Sequence, residues 1–388
     1  MAWTVVRDAL LLLVLASFAY YVVAVVATLR FFGRRDAAAA LAADFTPSIS
    51  ILKPIYGLDR ETYENYASFC VQDYPDYEII FCVSDERDAA IPVIAKLASD
   101  FPQRRINLLV GSEPLGASDK VNKLCRMARE ARHEILAVSD SDVRVAPEYL
   151  RAIASPFRDP AVGAVTCLYR GLTDGSLAAN LEAIGNSTDF AAGVLVAWLF
   201  APVNFTLGAT MATSKTCLAE IGGFESLVDH FSDDYELGNR IAARGHRVEL
   251  STFPVSVAYP RQTLSDAFRH QLRWNVSIRF SRPLGHLGLI FTQALPLALL
   301  AALFAPSAAW VISLLVGYLL LRGISAWVTG VYGMGDTGLR KHLELLPLRD
   351  AFAFVVWVAS FFPQRIHWRG REFYVRDKRL VPAAPREQ

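Results

Sequence analysis

Residues Ala9–Leu29 form a run of 21 positions without a charged side chain. As a helix the run extends about 31 Å at roughly 1.5 Å per residue, enough to cross a hydrocarbon core. A cleaved leader is the competing reading. The run is longer than a leader's apolar region, Arg7 and Asp8 cancel before it, and the Ala-rich stretch Ala37–Ala43 lies well beyond it. A retained anchor over residues 1–36 is therefore expected. Arg30, Arg34 and Arg35 follow the run, so the positive-inside preference places the N-terminus outside and the chain after it in the cytosol.

The apolar surplus returns near the other end. With 53% hydrophobic residues and a formal charge of +1, the 388-residue chain is more apolar than an ordinary soluble protein, and no nucleic-acid partner is expected. Leu287–Leu303 and Ala308–Leu321 read as two spans within 285–334, the second reaching toward Val331. Asp350–Phe362 has an apolar core of about 12 residues, roughly 18 Å as a helix, and reads as re-entrant or interfacial. Together with the basic tail (Arg365, Arg369, Arg371, Arg376, Lys378, Arg379) it makes up 335–388, with a cytosolic C-terminus. Phe190–Ala201 is too short to span; it is either a buried core helix or a segment dipping into lipid at an acceptor entrance.

Between these ends the chain is of a different kind. Cys70, Cys82, Cys125, Cys167 and Cys217 are odd in number and widely spaced, with no CxxC pair, and read as reduced cytosolic thiols. The sequons at Asn186, Asn204 and Asn275 then have no lumenal enzyme to meet. After an Ala-rich linker near Asp36–Asp44, short apolar runs alternate with helix-length polar segments, the pattern of parallel strands joined by crossover helices. Ser48–Leu52, Tyr77–Val83, Ile106–Val110 and Ile135–Val138 are the predicted strands. Arg60–Cys70, Ile91–Asp100 and Asp119–Arg132 are the predicted connections. Open α/β sheets bind ligands beyond the carboxyl ends of their strands, where Asp85 and Asp140 both fall. No GxGxxG or Walker sequence accompanies them.

Asp140 and Asp142 are one residue apart, so in extended chain their carboxylates point the same way and can share Mg²⁺ or Mn²⁺ with diphosphate oxygens. A solvated turn is the bland alternative. Asp85 is either a nucleotide contact or a loop cap. Asp234, beside Asp233 where a helix through Tyr235–Arg244 begins, is either an N-terminal cap or a general base. Arg273 and Trp274 lie in Thr263–Phe280, where Leu264, Phe268, Leu272, Val276 and Phe280 recur every four residues on one apolar face. That suggests an interfacial helix whose Arg and Trp hold diphosphate and acceptor, or only anchor it at the interface. Lys53, Lys120 and Lys123 are phosphate contacts or ordinary surface lysines. Acidic sites first and membrane-grade segments last suggest an enzyme that moves a nucleotide-activated sugar onto a lipid.

Six motifs sharpen this reading: ILKPIYGLD at Ile51–Asp59, CVSDERD at Cys82–Asp88, SDSDVRV at Ser139–Val145, IGGFE at Ile221–Glu225, SDDYELG at Ser232–Gly238 and HQLRW at His270–Trp274. In this order they resemble ceramide glucosyltransferases and their bacterial relatives over nearly the whole chain. The form around Asp229-His230 through Asp234 is most similar to the bacterial hopanoid-associated branch. The resemblance implies a family-2 glycosyltransferase with a GT-A α/β nucleotide-sugar-binding domain (37–262), an interfacial helix carrying HQLRW (263–284), and N- and C-terminal transmembrane helices. It implies a metal-dependent UDP-sugar donor and inversion at the anomeric carbon. It assigns Asp85 to nucleotide binding, Asp140 and Asp142 to metal and diphosphate, Asp234 to the catalytic base, and Arg273 and Trp274 to the closing pair.

Two departures accompany the resemblance. His270 stands where the broader motif often has Gln or Arg, so the usual contact is not assigned to it. Asn186–Asp189 lacks the His-containing stretch associated with animal ceramide glucosyltransferases. By resemblance the leading substrates are N-acetylglucosamine and bacteriohopanetetrol, with glucose and ceramide second, and the expected location is a bacterial inner membrane with a cytosolic catalytic domain. A processive polysaccharide synthase would need more channel wall than three spans offer. A non-catalytic scaffold would have no use for the full set of acidic motifs.

Overall fold

The computed structural model describes residues 2–35, 45–362, 366–368, 371–376 and 379–382. The linker at Asp36–Asp44, and Arg365, Arg369 and Lys378 of the basic tail, lie outside the described residues. The chain folds as two compact units, one of Met1–Gly33, Arg170–Ala201 and Arg261–Gln364, the other of Arg34–Tyr169, Pro202–Pro260 and Arg365–Gln388.

The second unit is built on an eight-stranded sheet. Its strands are β1 (Ile49–Pro54), β2 (Tyr77–Val83), β3 (Arg105–Val110), β4 (Ile135–Val138), β5 (Val143–Arg144), β6 (Val162–Leu172), β7 (Met211–Ser214) and β8 (Arg247–Ala258), in the order β3-β2-β1-β4-β7-β6-β8-β5. The four strands expected from sequence pair in parallel, with Leu52 opposite Ile80 on one side and Val138 on the other. From β4 onward the pairing turns antiparallel, Ala137 facing Ala212 of β7. Ile51, Leu52, Ile79, Ile80 and Phe81 are wholly buried because a sheet covered on both faces has no wet side. Each such side chain contributes on the order of 1.5–3 kcal/mol. The crossover helices follow the same logic. Asp119–Glu130 starts at Ser118, whose hydroxyl accepts from Val121 N at 3.4 Å, and turns Val121, Leu124, Cys125 and Met127 inward. A separate antiparallel sheet, β9 (Ile366–Trp368), β10 (Arg371–Arg376) and β11 (Arg379–Pro382), occupies the tail, where the sequence offered only a basic stretch.

Among the described residues of the other unit, three helices are long and apolar enough to cross a membrane: Trp3–Phe32, Leu177–Phe200 and Ala308–Gly333. Pro283–Thr292 and Ala294–Ala302 form a further pair bent by 57°. The N-terminal helix packs Val14 against Leu297, Ala298 and Ala301, and Thr28 Oγ1 meets Thr329 Oγ1 at 3.0 Å. Small residues such as Ala24 and Ala27, both fully buried, allow that close approach. Phe190–Ala201 differs from expectation. Its apolar core joins Leu177–Gly185 through a π-helical turn at Asn186–Phe190, so the continuous helix is 24 residues long. The 14-residue helix Leu346–Ala359 replaces the short segment expected at Asp350–Phe362 and is not among the candidate spans. On Leu264–Ser281 the inward positions are Ala267, Gln271 and Val276, while Leu264 at the head of the apolar stripe is 49% exposed.

Candidate active site

The site lies where β1, β2 and β4 end. Strand β4 runs into Ser139 and Asp140, and the backbone is fixed there by Lys53 of β1, whose Nζ donates to the Asp140 carbonyl at 2.8 Å. Lys53 has no exposed surface, and its ammonium lies 3.9 Å from the Phe69 ring centroid. Burial pulls its pKa down to about 7, against the opposing pull of Asp142, Asp140 and Asp59. Lys123 is equally enclosed, donating to Ile55 O at 2.6 Å and Asp119 Oδ2 at 2.7 Å. Ser84, just after β2, donates to the other oxygen of Asp119 at 2.6 Å. Both lysines, read from sequence as phosphate contacts, are instead committed to holding the ends of the strands. Lys120, one helical turn earlier than Lys123, does reach the rim: its Nζ lies 2.8 Å from Asp140 Oδ1 and 3.3 Å from Asp233 Oδ2. Burial opposes its charge, but Asp140, Asp233 and Asp234 together hold its ammonium above the usual lysine range.

Asp234 comes from a helix that follows β7 in the chain. Its helix, Asp233–Ala243, carries Asp233, Asp234 and Glu236 in the first turn, where the macrodipole favours negative charge. Gly238 sets how closely that helix approaches its neighbour. A Cβ there would lie 2.4 Å from Phe205 C and Thr206 N, so only glycine lets this helix sit on the Phe205–Leu207 segment. Thr206 Oγ1 then donates to Asp234 O at 2.6 Å. The carboxylate is fixed by two backbone donors, Tyr235 N to Oδ1 at 2.8 Å and Gly208 N to Oδ2 at 3.0 Å. Gly208 stands between the two acidic motifs: a Cβ there would be 3.0 Å from Asp140 Oδ2, 3.4 Å from Asp234 Oδ2 and 3.7 Å from Lys120 Nζ. The fold therefore brings Asp140, Lys120 and Asp234 around one glycine, with Asp233 on the Lys120 ammonium.

The electrostatics follow from this crowding. Burial, then Asp233, push the Asp234 carboxyl up to about 6, against Lys120. Burial, then Asp140 and Asp59, push Asp142 up to about 7, against Lys53. Two carboxylates that resist sharing a site are an oxygen-only donor set of the kind that Mg²⁺ or Mn²⁺ takes, with remaining positions left for water or phosphate oxygens. Among the described residues, no three His, Cys, Asp or Glu side chains gather into a complete metal cage. Asp85 is exposed on the same rim after β2, and its Oδ1 accepts from Arg87 N at 2.8 Å.

Arg273 and Trp274 belong to the other unit. There Trp274 packs on the His270 ring at 4.6 Å between centroids, and His270 Nδ1 donates to Glu182 Oε1 at 2.9 Å. Glu182, Gly208, Gly238 and Asp59 were not singled out as site residues from sequence. Gly208 and Gly238 are isolated glycines next to apolar residues, a signal of close backbone approach that spacing alone does not tie to a site.

A mixed sheet whose first four strands run parallel, with carboxylates gathered at their carboxyl ends, in a chain that also carries membrane-grade helices, is the arrangement of a membrane-associated GT-A glycosyltransferase. The chain belongs to glycosyl transferase family 21, whose model matches residues 9–381. That family number replaces the family-2 label expected from sequence; the likeness to ceramide glucosyltransferases stands. Ceramide glucosyltransferase 1 of Caenorhabditis elegans is 29% identical over 229 residues, 59% of this chain and 49% of that protein. Ceramide glucosyltransferase 3 of the same organism is 24% identical over 356 residues, 85% of this chain and 73% of that protein. The chain thus spans about half the length of the first relative. Among solved structures, a mannosyltransferase from Pyrobaculum calidifontis in complex with GDP-Man and Mn²⁺ covers 88% of this chain and 99% of its own at 18% identity, with a TM-score of 0.49.

Proposed function

We propose that the protein transfers a single sugar from a UDP-sugar to the hydroxyl of a membrane lipid, with inversion at the anomeric carbon. The observation that carries this reading is the meeting of Asp140, Lys120 and Asp234 around Gly208 at the carboxyl edge of the sheet. Asp234 is held by two backbone N–H groups and is raised toward neutrality, which suits a group that must take a proton near physiological pH. Its neighbour Asp233 faces the Lys120 ammonium at 3.3 Å, whereas the Asp234 carboxylate is held by backbone donors alone, which favours Asp234 as the base.

In this account Asp234 accepts the proton of the lipid hydroxyl as that oxygen attacks the anomeric carbon, and the bond from the carbon to the UDP oxygen breaks on the opposite face. Asp140 and Asp142 would hold Mg²⁺ or Mn²⁺, which when bound offsets negative charge on the departing diphosphate. Asp85 is assigned to the nucleotide and, by the motif resemblance alone, Arg273 and Trp274 to diphosphate and acceptor. Lys120 is assigned to the diphosphate side of the site, whereas Lys53 and Lys123 are assigned to positioning its loops rather than to phosphate contact. The donor would come from the cytosol, in a bacterial inner membrane with the sheet unit on the cytosolic side.

Two donor and acceptor pairs fit. The hopanoid-like motif forms favour UDP-N-acetylglucosamine with bacteriohopanetetrol. The relatives named as ceramide glucosyltransferases favour UDP-glucose with ceramide. Offering all four combinations to detergent-purified protein and weighing the lipid products decides between them. Product with neither acceptor, while UDP-sugar is hydrolysed to free sugar, would contradict a lipid acceptor of either kind.

A further inference from the structure

The candidate span Leu177–Phe200 carries two acids, Glu182 and Asp189. Ionisable side chains in so apolar a segment are expensive and by default mark function. Both belong to one chain of polar side chains inside the membrane unit. Glu182, with no exposed surface, accepts from His270 Nδ1 at 2.9 Å, from Gln271 Nε2 at 3.1 Å and from Gln262 Nε2. Gln271 Oε1 in turn accepts from Arg349 Nη2 at 3.4 Å. Asp189 takes Arg349 Nε on Oδ2 at 3.0 Å and Arg322 Nη2 on Oδ1 at 2.6 Å. Arg322 also forks onto Asp350, which accepts from the Tyr318 hydroxyl at 2.9 Å.

Most of this network is closed, but one end is not. Arg349 is 5% exposed and its Nη1 has no hydrogen-bond partner; the buried Tyr20 hydroxyl has none either. Leaving a buried donor unmet costs about 1–3 kcal/mol, more for a charged group, so such an atom calls for a reason. The Arg349 guanidinium is pressed on Gly185, where an added Cβ would lie 2.3 Å from Nη2, so it cannot turn aside to find another partner there. Next to it the helix changes to π geometry at Asn186–Phe190, a distortion that recurs at functional sites. Asp189 is the most open of the four charged groups, its side chain 26% exposed against 6% for Arg349, 5% for Asp350 and 3% for Arg322.

Charge narrows the ligand. Asp189 and Asp350 balance Arg322 and Arg349, and Glu182 adds a further acid to the same chain, so an anionic headgroup would leave surplus negative charge in an apolar segment. A neutral group with both a donor and an acceptor fits instead. We propose that Asp189 and Arg349 form a binding site for the neutral hydroxyl- or amide-bearing head of a membrane lipid. The lipid O–H or N–H donates to Asp189 while its oxygen accepts from Arg349 Nη1. Only the identification of that lipid with the sugar acceptor rests on the glycosyltransferase reading.

The test uses the full chain in nanodiscs, with Asp234→Asn to prevent turnover. Binding of ceramide, bacteriohopanetetrol and phosphatidic acid is measured by native mass spectrometry, and UDP-sugar affinity is measured separately. At least one neutral lipid is expected to bind about tenfold or more tightly than phosphatidic acid. Asp189→Asn and Arg349→Lys, each checked for an intact thermal transition, are expected to weaken it about tenfold and leave UDP-sugar affinity unchanged. Tyr318→Phe, which removes a bond from the closed end of the network, is expected to change it less than about twofold. Preference for phosphatidic acid, no binding of either neutral lipid, unchanged affinity in the folded variants, or an equal loss in Tyr318→Phe would each overturn the proposal. Failure of UDP-sugar to bind would instead sink the glycosyltransferase reading, with the lipid result standing by itself.

Discussion

Gly208→Ala adds one methyl at the point where the two acidic motifs meet. The new Cβ would stand 3.0 Å from Asp140 Oδ2 and 3.4 Å from Asp234 Oδ2, so one carboxylate has to retreat by a few tenths of an ångström. Neither is free to do so. Asp140 is tied to Lys120 at 2.8 Å, and Asp234 is tied to Gly208 N itself at 3.0 Å. Overpacking of this kind costs about 1–3 kcal/mol. Placed on the transition state rather than on the fold, that range is about 5- to 150-fold in rate. The assay is steady-state transfer to lipid, with Mn²⁺ titrations beside it. If Asp234 moves, kcat falls by that factor at unchanged metal affinity; if Asp140 moves, the metal requirement rises as well. Gly288→Ala is the control, because an added methyl there meets nothing within 4 Å. Activity and metal requirement of Gly208→Ala within about twofold of the parent would refute the claim that this glycine sets the spacing.

Other outcomes follow from the same geometry. With Asp234 raised to about 6, kcat/KM should fall as pH drops through that value, with unit slope, and Asp234→Glu should shift the profile. A raised carboxyl binds its proton more tightly in the fold than in the unfolded chain, so without divalent cation its contribution to stability is full at low pH and lost as pH rises from about 4 to about 6. Asp234→Asn should therefore raise the thermal transition at pH 7.5, by about 1–2 kcal/mol once its partial exposure is discounted, while turnover falls about a thousandfold. Asp142→Asn should raise the Mn²⁺ concentration needed for half-maximal activity by about tenfold or more, and chelation followed by Mn²⁺ or Mg²⁺ should remove and restore activity. Gly185→Ala, which drives a methyl into the Arg349 guanidinium, should lower the thermal transition by the equivalent of about 2 kcal/mol or more.

Much of the sheet unit was legible because its signals are local. Continuous apolar runs bounded by turn residues gave β1, β2, β3 and β4 almost to the residue, and the helix Ile91–Asp100 matches the expected connection at both ends. The antiparallel half was not, since β6 and β8 run for 11 and 12 residues through mixed sequence whose partners lie far away in the chain. The lysines show the same divide. A motif says that Lys53 and Lys123 are near a site, but only tertiary packing says that their ammonium groups face carbonyl oxygens inside it. Glu182 and Arg349 were invisible for a related reason. Their partners are about 80 to 90 residues away or more, and nothing in a local window distinguishes a buried acid from a surface one.

The central claim is tested most directly by the product. Wild-type protein and Asp234→Asn are incubated with an α-linked UDP-sugar, a divalent cation and the two candidate lipids, and the anomeric proton of any glycolipid is read by NMR. The account predicts one sugar per lipid, a β linkage, and loss of product in Asp234→Asn. An α-linked product, or full turnover by Asp234→Asn, would contradict it.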